Sequence, residues 1–140
     1  MILIDIGNTN IVFAVSNNNK IKIISRIDTN KETKILIKNV NEIIKNFLDK
    51  NFFKNSKKFA VISSVVPHIY IHIIKILKKY KIKVITLKPK DVLSYLKIDY
   101  NLNEIGADRI ANSAAVINSK IQNSIVIDFG IPTTFEVLKN

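Results

Sequence analysis

The sequence has no cysteine, which excludes a disulfide framework and any thiolate-bound metal. It has no apolar run of the roughly 20 residues needed to cross a bilayer. A secretory leader is not expected either, because Asp5 interrupts the N-terminal apolar run and no basic segment precedes it. No arginine-rich arm and no aromatic RNA-recognition motif occurs. No low-complexity linker divides the chain. These absences fit a cytoplasmic protein made of one ordinary domain, or of part of a larger one.

What is present is an apolar fraction of 47% in 140 residues, enough for a core that buries about two thirds of the unfolded surface. The net charge is +11. A charge of that size often marks a nucleic-acid or membrane partner. Here it comes mainly from scattered lysines in a chain also rich in Ile and Asn, the pattern of an AT-rich coding bias. Neither nucleic acid nor membrane is therefore expected as a partner.

The stretch from Ile2 to Val15 organises the rest. Two β-branched runs flank the polar turn Gly7-Asn8-Thr9-Asn10, and Asp5 closes the first run where a buried strand meets the turn. An unpaired buried carboxylate is costly, so Asp5 is a candidate for function. The turn offers backbone N–H groups, and Gly7 lets a ligand approach closely. A carboxylate that orients hydrated Mg²⁺ beside amides that hold phosphate oxygens would suit a nucleotide. The competing reading is a hairpin turn without function, since Asx and Gly are common in such turns.

A second turn is expected over Ser16–Lys20 and a third strand over Ile21–Ile27. From Thr33 to Lys50 apolar residues recur at three- and four-residue spacing, which predicts an amphipathic helix. Asn51–Lys58 reads as a loop, with Phe52 and Phe53 as core or lid residues. Phe59–Val66 reads as a buried strand, Pro67 as the first turn of a helix reaching Tyr80, and Ile82–Leu87 as a strand. A short helix or turn over Pro89–Leu93 and a loop over Lys97–Ile105 precede a helix from Ala107 to Ser119. Strands over Ser124–Asp128 and Thr134–Leu138 follow. The order β-β-β-α-β-α-β-α-β-β predicts an α/β protein with a mixed sheet covered by helices.

Ile125-Val126-Ile127-Asp128-Phe129-Gly130 restates Ile2-Leu3-Ile4-Asp5-Ile6-Gly7, falling where the first β-β-β-α-β-α-β-α unit ends. A domain over residues 1–122 followed by the start of a truncated second domain over 123–140 is expected. Two such loops facing each other across a cleft would grip a phosphate chain from both sides. His68 and His72 have metal-ligand spacing on one helix, but no third ligand is evident nearby and a core-facing helix is the simpler reading.

Asp5-Ile6-Gly7-Asn8-Thr9-Asn10, Ser63-Ser64-Val65-Val66-Pro67, Gly106-Ala107-Asp108-Arg109 and Asp128-Phe129-Gly130 together resemble type III pantothenate kinase, over about the first half of such a protein. The resemblance implies a ribonuclease H-like, actin-like N-terminal domain plus the first hairpin of a second, incomplete copy. It implies ATP-dependent phosphorylation of pantothenate to 4'-phosphopantothenate, the first step of coenzyme A synthesis, by a homodimer that uses Mg²⁺ with the nucleotide and K⁺ or NH₄⁺. By resemblance, Asp5, Ile6, Gly7, Asn8, Thr9, Asn10, Ile11 and Val12 bind ATP phosphates. Tyr100, Gly106, Ala107, Asp108 and Arg109 form the pantothenate site, with Asp108 as general base and Arg109 on the substrate carboxylate. Asp128 binds the monovalent cation. The helix-start acid and the surface ion pair are the simpler readings of Asp108 and Arg109. The sequence departs from the family at Ile131-Pro132, where Thr-Ala is usual, which removes a hydroxyl and an N–H from the second loop. The alternative is an inactive remnant or a non-enzymatic binding module that keeps the fold.

Overall fold

Alternation in the first two apolar runs sets the architecture. In the computed structural model, which describes residues 1–17, 20–49, 58–94 and 96–139, Ile2, Ile4 and Ile6 of β1 (Ile2–Ile6) point to one face of the sheet and are buried. They lie opposite Val15, Phe13 and Ile11 of antiparallel β2 (Asn10–Asn17), also buried. On its other side β1 runs parallel to β4 (Phe59–Ser64), which adds Ala60 and Ile62 to the same face. With β3 (Lys20–Asp28) and β5 (Lys83–Thr86) at the edges, the order is β3-β2-β1-β4-β5. The sheet is mixed, as expected, because β1 pairs antiparallel with β2 and parallel with β4.

Two helices complete this core. In α1 (Thr33–Asp49), Leu36, Val40, Ile44 and Phe47 are buried at three- and four-residue spacing. In α2 (Pro67–Lys79), Ile69, Ile73, Ile76 and Leu77 do the same. Burying one such side chain contributes roughly 1.5–3 kcal/mol before ordering costs. Pro67 stands at the first helical position, where its missing N–H costs nothing. The strand expected to reach Val66 stops at Ser64, because Ser64 Oγ accepts the Val66 N–H at 3.2 Å and turns the chain into α2.

At the far end of α2, Ile82 N–H bonds the Leu77 carbonyl and Lys81 N–H bonds the Lys78 carbonyl, at 3.0 and 2.9 Å. This is the paired closure that usually places Gly at the left-handed position. Here Lys81 takes it, with φ 55°. Ile82 is used in this closure, so β5 begins one residue later than expected.

The chain forms two compact units, Met1–Thr86 and Leu87–Asn140. The second holds a single 3-10 turn over Pro89–Val92, α3 (Ala107–Asn118), and the antiparallel pair β6 (Ser124–Asp128) and β7 (Thr134–Leu138). The hairpin turns its polar face to α3. Arg109 and Asn112 of α3 bond Glu136 and Asp128. The cross-strand pairs Ile125–Val137 and Ile127–Phe135 occupy the other face and are exposed.

The expected loop over Asn51–Lys58, with Phe52 and Phe53, lies outside the described residues except for Lys58, and the turn over Ser16–Lys20 lies partly outside them. Among the described residues no helix is long and apolar enough to cross a membrane.

Candidate functional site

In the first unit the candidate phosphate loop is the four-residue turn between Ile6 and Ile11. Gly7 N–H bonds the Asn10 carbonyl at 3.0 Å and closes it. A Cβ on Gly7 would stand 3.3 Å from that same carbonyl oxygen. Glycine is needed here for close approach within the turn, not for a left-handed conformation. Asn8 and Thr9 are exposed at the tip.

The carbonyls of the turn are held from behind. Thr29, itself buried, donates its hydroxyl to the Gly7 carbonyl at 2.8 Å and its N–H to the Thr9 carbonyl at 2.9 Å. Occupied carbonyls cannot oppose an anion, which favours the tip as a place for phosphate oxygens. Ile6 and Ile11 are fully buried, so only their backbone is open to a ligand, and Val12 is half-buried.

Asp5 corrects the expectation about its burial. It stands on the face of β1 opposite the core, in register with Val12 and Ser63, and is exposed. The cost of a buried charge therefore does not explain it. Asp5 is an exposed carboxylate at a strand end beside the turn. On the same face the Ser63 hydroxyl is buried and has no hydrogen-bond partner among the described residues.

In the second unit, Gly106 caps α3 in an extended conformation, with φ −66° and ψ 151°, and Ala107 is buried at the first helical position. Asp108 Oδ1 accepts the Arg109 N–H at 2.7 Å. That is the bond of a helix-start acid, so the simpler reading of Asp108 describes one of its oxygens. The Oδ2 of the half-buried Asp108 accepts no hydrogen bond from a described residue.

Arg109 is tied on several sides. Its Nε donates to Glu136 Oε1 at 2.5 Å and its Nη2 donates to the Phe135 carbonyl at 3.2 Å. Its guanidinium lies 5.4 Å from the ring centroid of Tyr100. The Arg109 side chain keeps 23% exposure and that of Glu136 keeps 5%. The ion-pair reading of Arg109 thus holds in part, with a buried partner. Two of its five N–H groups are used, which leaves those at the end of the fork.

Asp128 Oδ2 accepts the Asn112 side-chain amide at 3.1 Å, while Oδ1 bonds no described residue. One carboxylate oxygen is therefore available to a cation. In the loop that follows, Phe129 and Ile131 are among the most exposed apolar side chains of the chain, and the Ile131–Pro132 peptide is cis. His68 and His72 belong to no group of three possible metal ligands among the described residues.

Sequence reasoning missed Thr29, Asn112 and Glu136. Thr29 stood in a polar break with no pattern around it. Glu136 carried a signal: alternation in Thr134–Leu138 puts it between two apolar residues of the opposite face, on the side turned to α3.

An α/β fold with this mixed sheet carries a polar glycine turn in its first unit and an Asp–Arg helix start in its second. The profile of the type III pantothenate kinase family matches residues 1–140. The chain belongs to that family. It is 37% identical over 138 residues to the type III pantothenate kinase of Pelagibacter ubique (strain HTCC1062), covering 96% of this chain and 52% of that protein. It is 36% identical to the type III pantothenate kinases of Desulforapulum autotrophicum and Thermosipho africanus, covering 99% of this chain and 53% of each of them. The chain thus spans about half the length of the curated relatives it matches.

Proposed function

We propose that this chain takes part in ATP-dependent phosphorylation of pantothenate to 4'-phosphopantothenate, in the cytoplasm and as a homodimer. Residues 1–122 correspond in this reading to the actin-like first domain, and residues 123–140 to the opening hairpin of a second copy. The strand order β3-β2-β1-β4-β5 and the β6–β7 hairpin support it. The small residues Ala111, Ala114 and Ala115 of α3 would allow a second helix to pack closely.

The observation that carries the reading is the start of α3. There a carboxylate with one uncommitted oxygen precedes an arginine whose fork end is uncommitted. Arg109 would take the pantothenate carboxylate through two N–H groups, with Tyr100 against its face. Asp108 Oδ2 would accept the proton of the primary hydroxyl as its oxygen attacks the γ-phosphorus, and ADP would leave with the electron pair of the broken P–O bond. The turn Gly7–Asn10 would hold phosphate oxygens through N–H groups, with Asp5 toward the hydrated Mg²⁺ and Asp128 Oδ1 toward K⁺ or NH₄⁺. When bound, Mg²⁺ offsets charge on the transferred group.

A second reading is a remnant that keeps the fold without turnover. The exposed Ile131, where the family usually has a hydroxyl, favours it. Formation of phosphopantothenate by the purified chain with ATP, Mg²⁺ and K⁺ separates the two. Turnover that Asp108→Asn lacks supports the kinase; no turnover from a folded chain supports the remnant.

A further inference from the structure

Glu136 is the least expected side chain in the second unit. Its carboxylate is buried, with 5% exposure, on the face of β7 turned to α3. One oxygen takes Arg109 Nε, and the other, Oε2, is buried without a partner among the described residues. A buried acceptor left unpaired costs about 1–3 kcal/mol. A buried ion pair is seldom more stabilising than apolar side chains of the same volume. Stability is therefore a poor reason for a glutamate at this place.

Geometry offers a better one. Glu136 and the Phe135 carbonyl take Nε and one Nη2 proton, both on the same side of the guanidinium. Its Cζ lies over the Tyr100 ring, 5.4 Å from the centroid. The side chain is thereby held along one edge, and of the three remaining N–H groups two, one on Nη1 and one on Nη2, point along the far end of the fork. That end matches the two oxygens of a carboxylate.

We propose that Glu136 is a positioning residue that clamps Arg109 and presents the end of its guanidinium to the carboxylate of the acceptor. This rests on the acceptor site proposed above. Glu136 itself does not touch the substrate. It also shares charge with Arg109, so the arginine discriminates by directed hydrogen bonds more than by net charge.

The test uses the full ¹⁵N-labelled chain. The Arg109 Nε–H signal, assigned by its loss in Arg109→Lys, exchanges slowly with water in the parent chain. In Glu136→Ala it exchanges at least about tenfold faster, as expected for loss of a charge-assisted bond. Glu136→Gln keeps an acceptor oxygen of the same shape and falls between the two. In parallel, affinity is measured for pantothenate and for pantothenol, which carries an alcohol in place of the carboxylate. The preference for the acid falls about tenfold in Glu136→Ala and about threefold in Glu136→Gln, while pantothenol binding stays constant.

Exchange and preference both unchanged in Glu136→Ala overturn the clamp; if that variant does not fold, the same result in Glu136→Gln does so. A parent chain without any preference for the acid overturns the acceptor reading instead, and the Nε–H exchange shows separately whether Glu136 holds Arg109.

Discussion

Thr29 holds Gly7 from 22 residues away in sequence, through a hydroxyl bond of 2.8 Å to its carbonyl. Its own N–H bonds the Thr9 carbonyl at 2.9 Å, so one residue just past the end of β3 holds both sides of the turn. Thr29→Val keeps the shape and the backbone bond but removes the hydroxyl. The Gly7 carbonyl loses its partner, at a cost of about 1 kcal/mol in folding stability. Hydrogen exchange at Asn8, Thr9 and Asn10 should rise, and ATP affinity should fall several-fold. Thr29→Ser should restore most of both, since it returns the donor.

Gly7→Ala tests the turn itself. The added methyl meets the Asn10 carbonyl oxygen at 3.3 Å, so the hairpin must give by a few tenths of an ångström. Urea unfolding should show a loss of up to about 1 kcal/mol. Nucleotide binding should suffer more than stability, because the change falls on the turn and not on the core.

Asp108→Asn should leave the fold intact, since the amide oxygen can still accept the Arg109 N–H now bonded at 2.7 Å. Phosphopantothenate formation should drop by a factor of about 10² or more, because Asn cannot take a proton. Pantothenate affinity should change little. A variant as active as the parent would remove Asp108 from the chemistry.

Lys81→Gly should stabilise the chain by about 1 kcal/mol, because Lys81 sits at φ 55°, where a Cβ is unfavourable. The midpoint of urea unfolding should rise with no change in slope.

Ile127→Thr with Phe135→Thr should reduce binding of an apolar dye such as ANS. These two side chains face each other across β6 and β7 and are 46% and 60% exposed, beside Ile125 and Val137. Threonine keeps the β-branched preference for strand, so circular dichroism should not change.

Much of this fold was legible because its periodicities are clean. Ile2, Ile4 and Ile6 alternate with Leu3 and Asp5, and Leu36, Val40, Ile44 and Phe47 fall on one helical stripe. The glycines were informative through scarcity: the chain has three, Gly7, Gly106 and Gly130, and each stands in a motif that carried the family resemblance. The exposure of Asp5 was not legible, because alternation alone does not say whether helices cover one face of a sheet or both. Thr29 and Glu136 were not legible as partners of Gly7 and Arg109, since each pair is joined by tertiary packing across more than twenty residues.

Lys81 at the end of α2 and Lys120 just beyond α3, at φ 58°, put lysine in the left-handed conformation that glycine adopts more readily. Glycine codons are rich in G and C, and lysine codons in A. A genome drifting toward A and T withdraws the residue best suited to end a helix and supplies one that must be held there against its own sterics. Under such a drift, mutation pressure acting on nucleotides would be carried into the protein as conformational strain, at positions outside the candidate site.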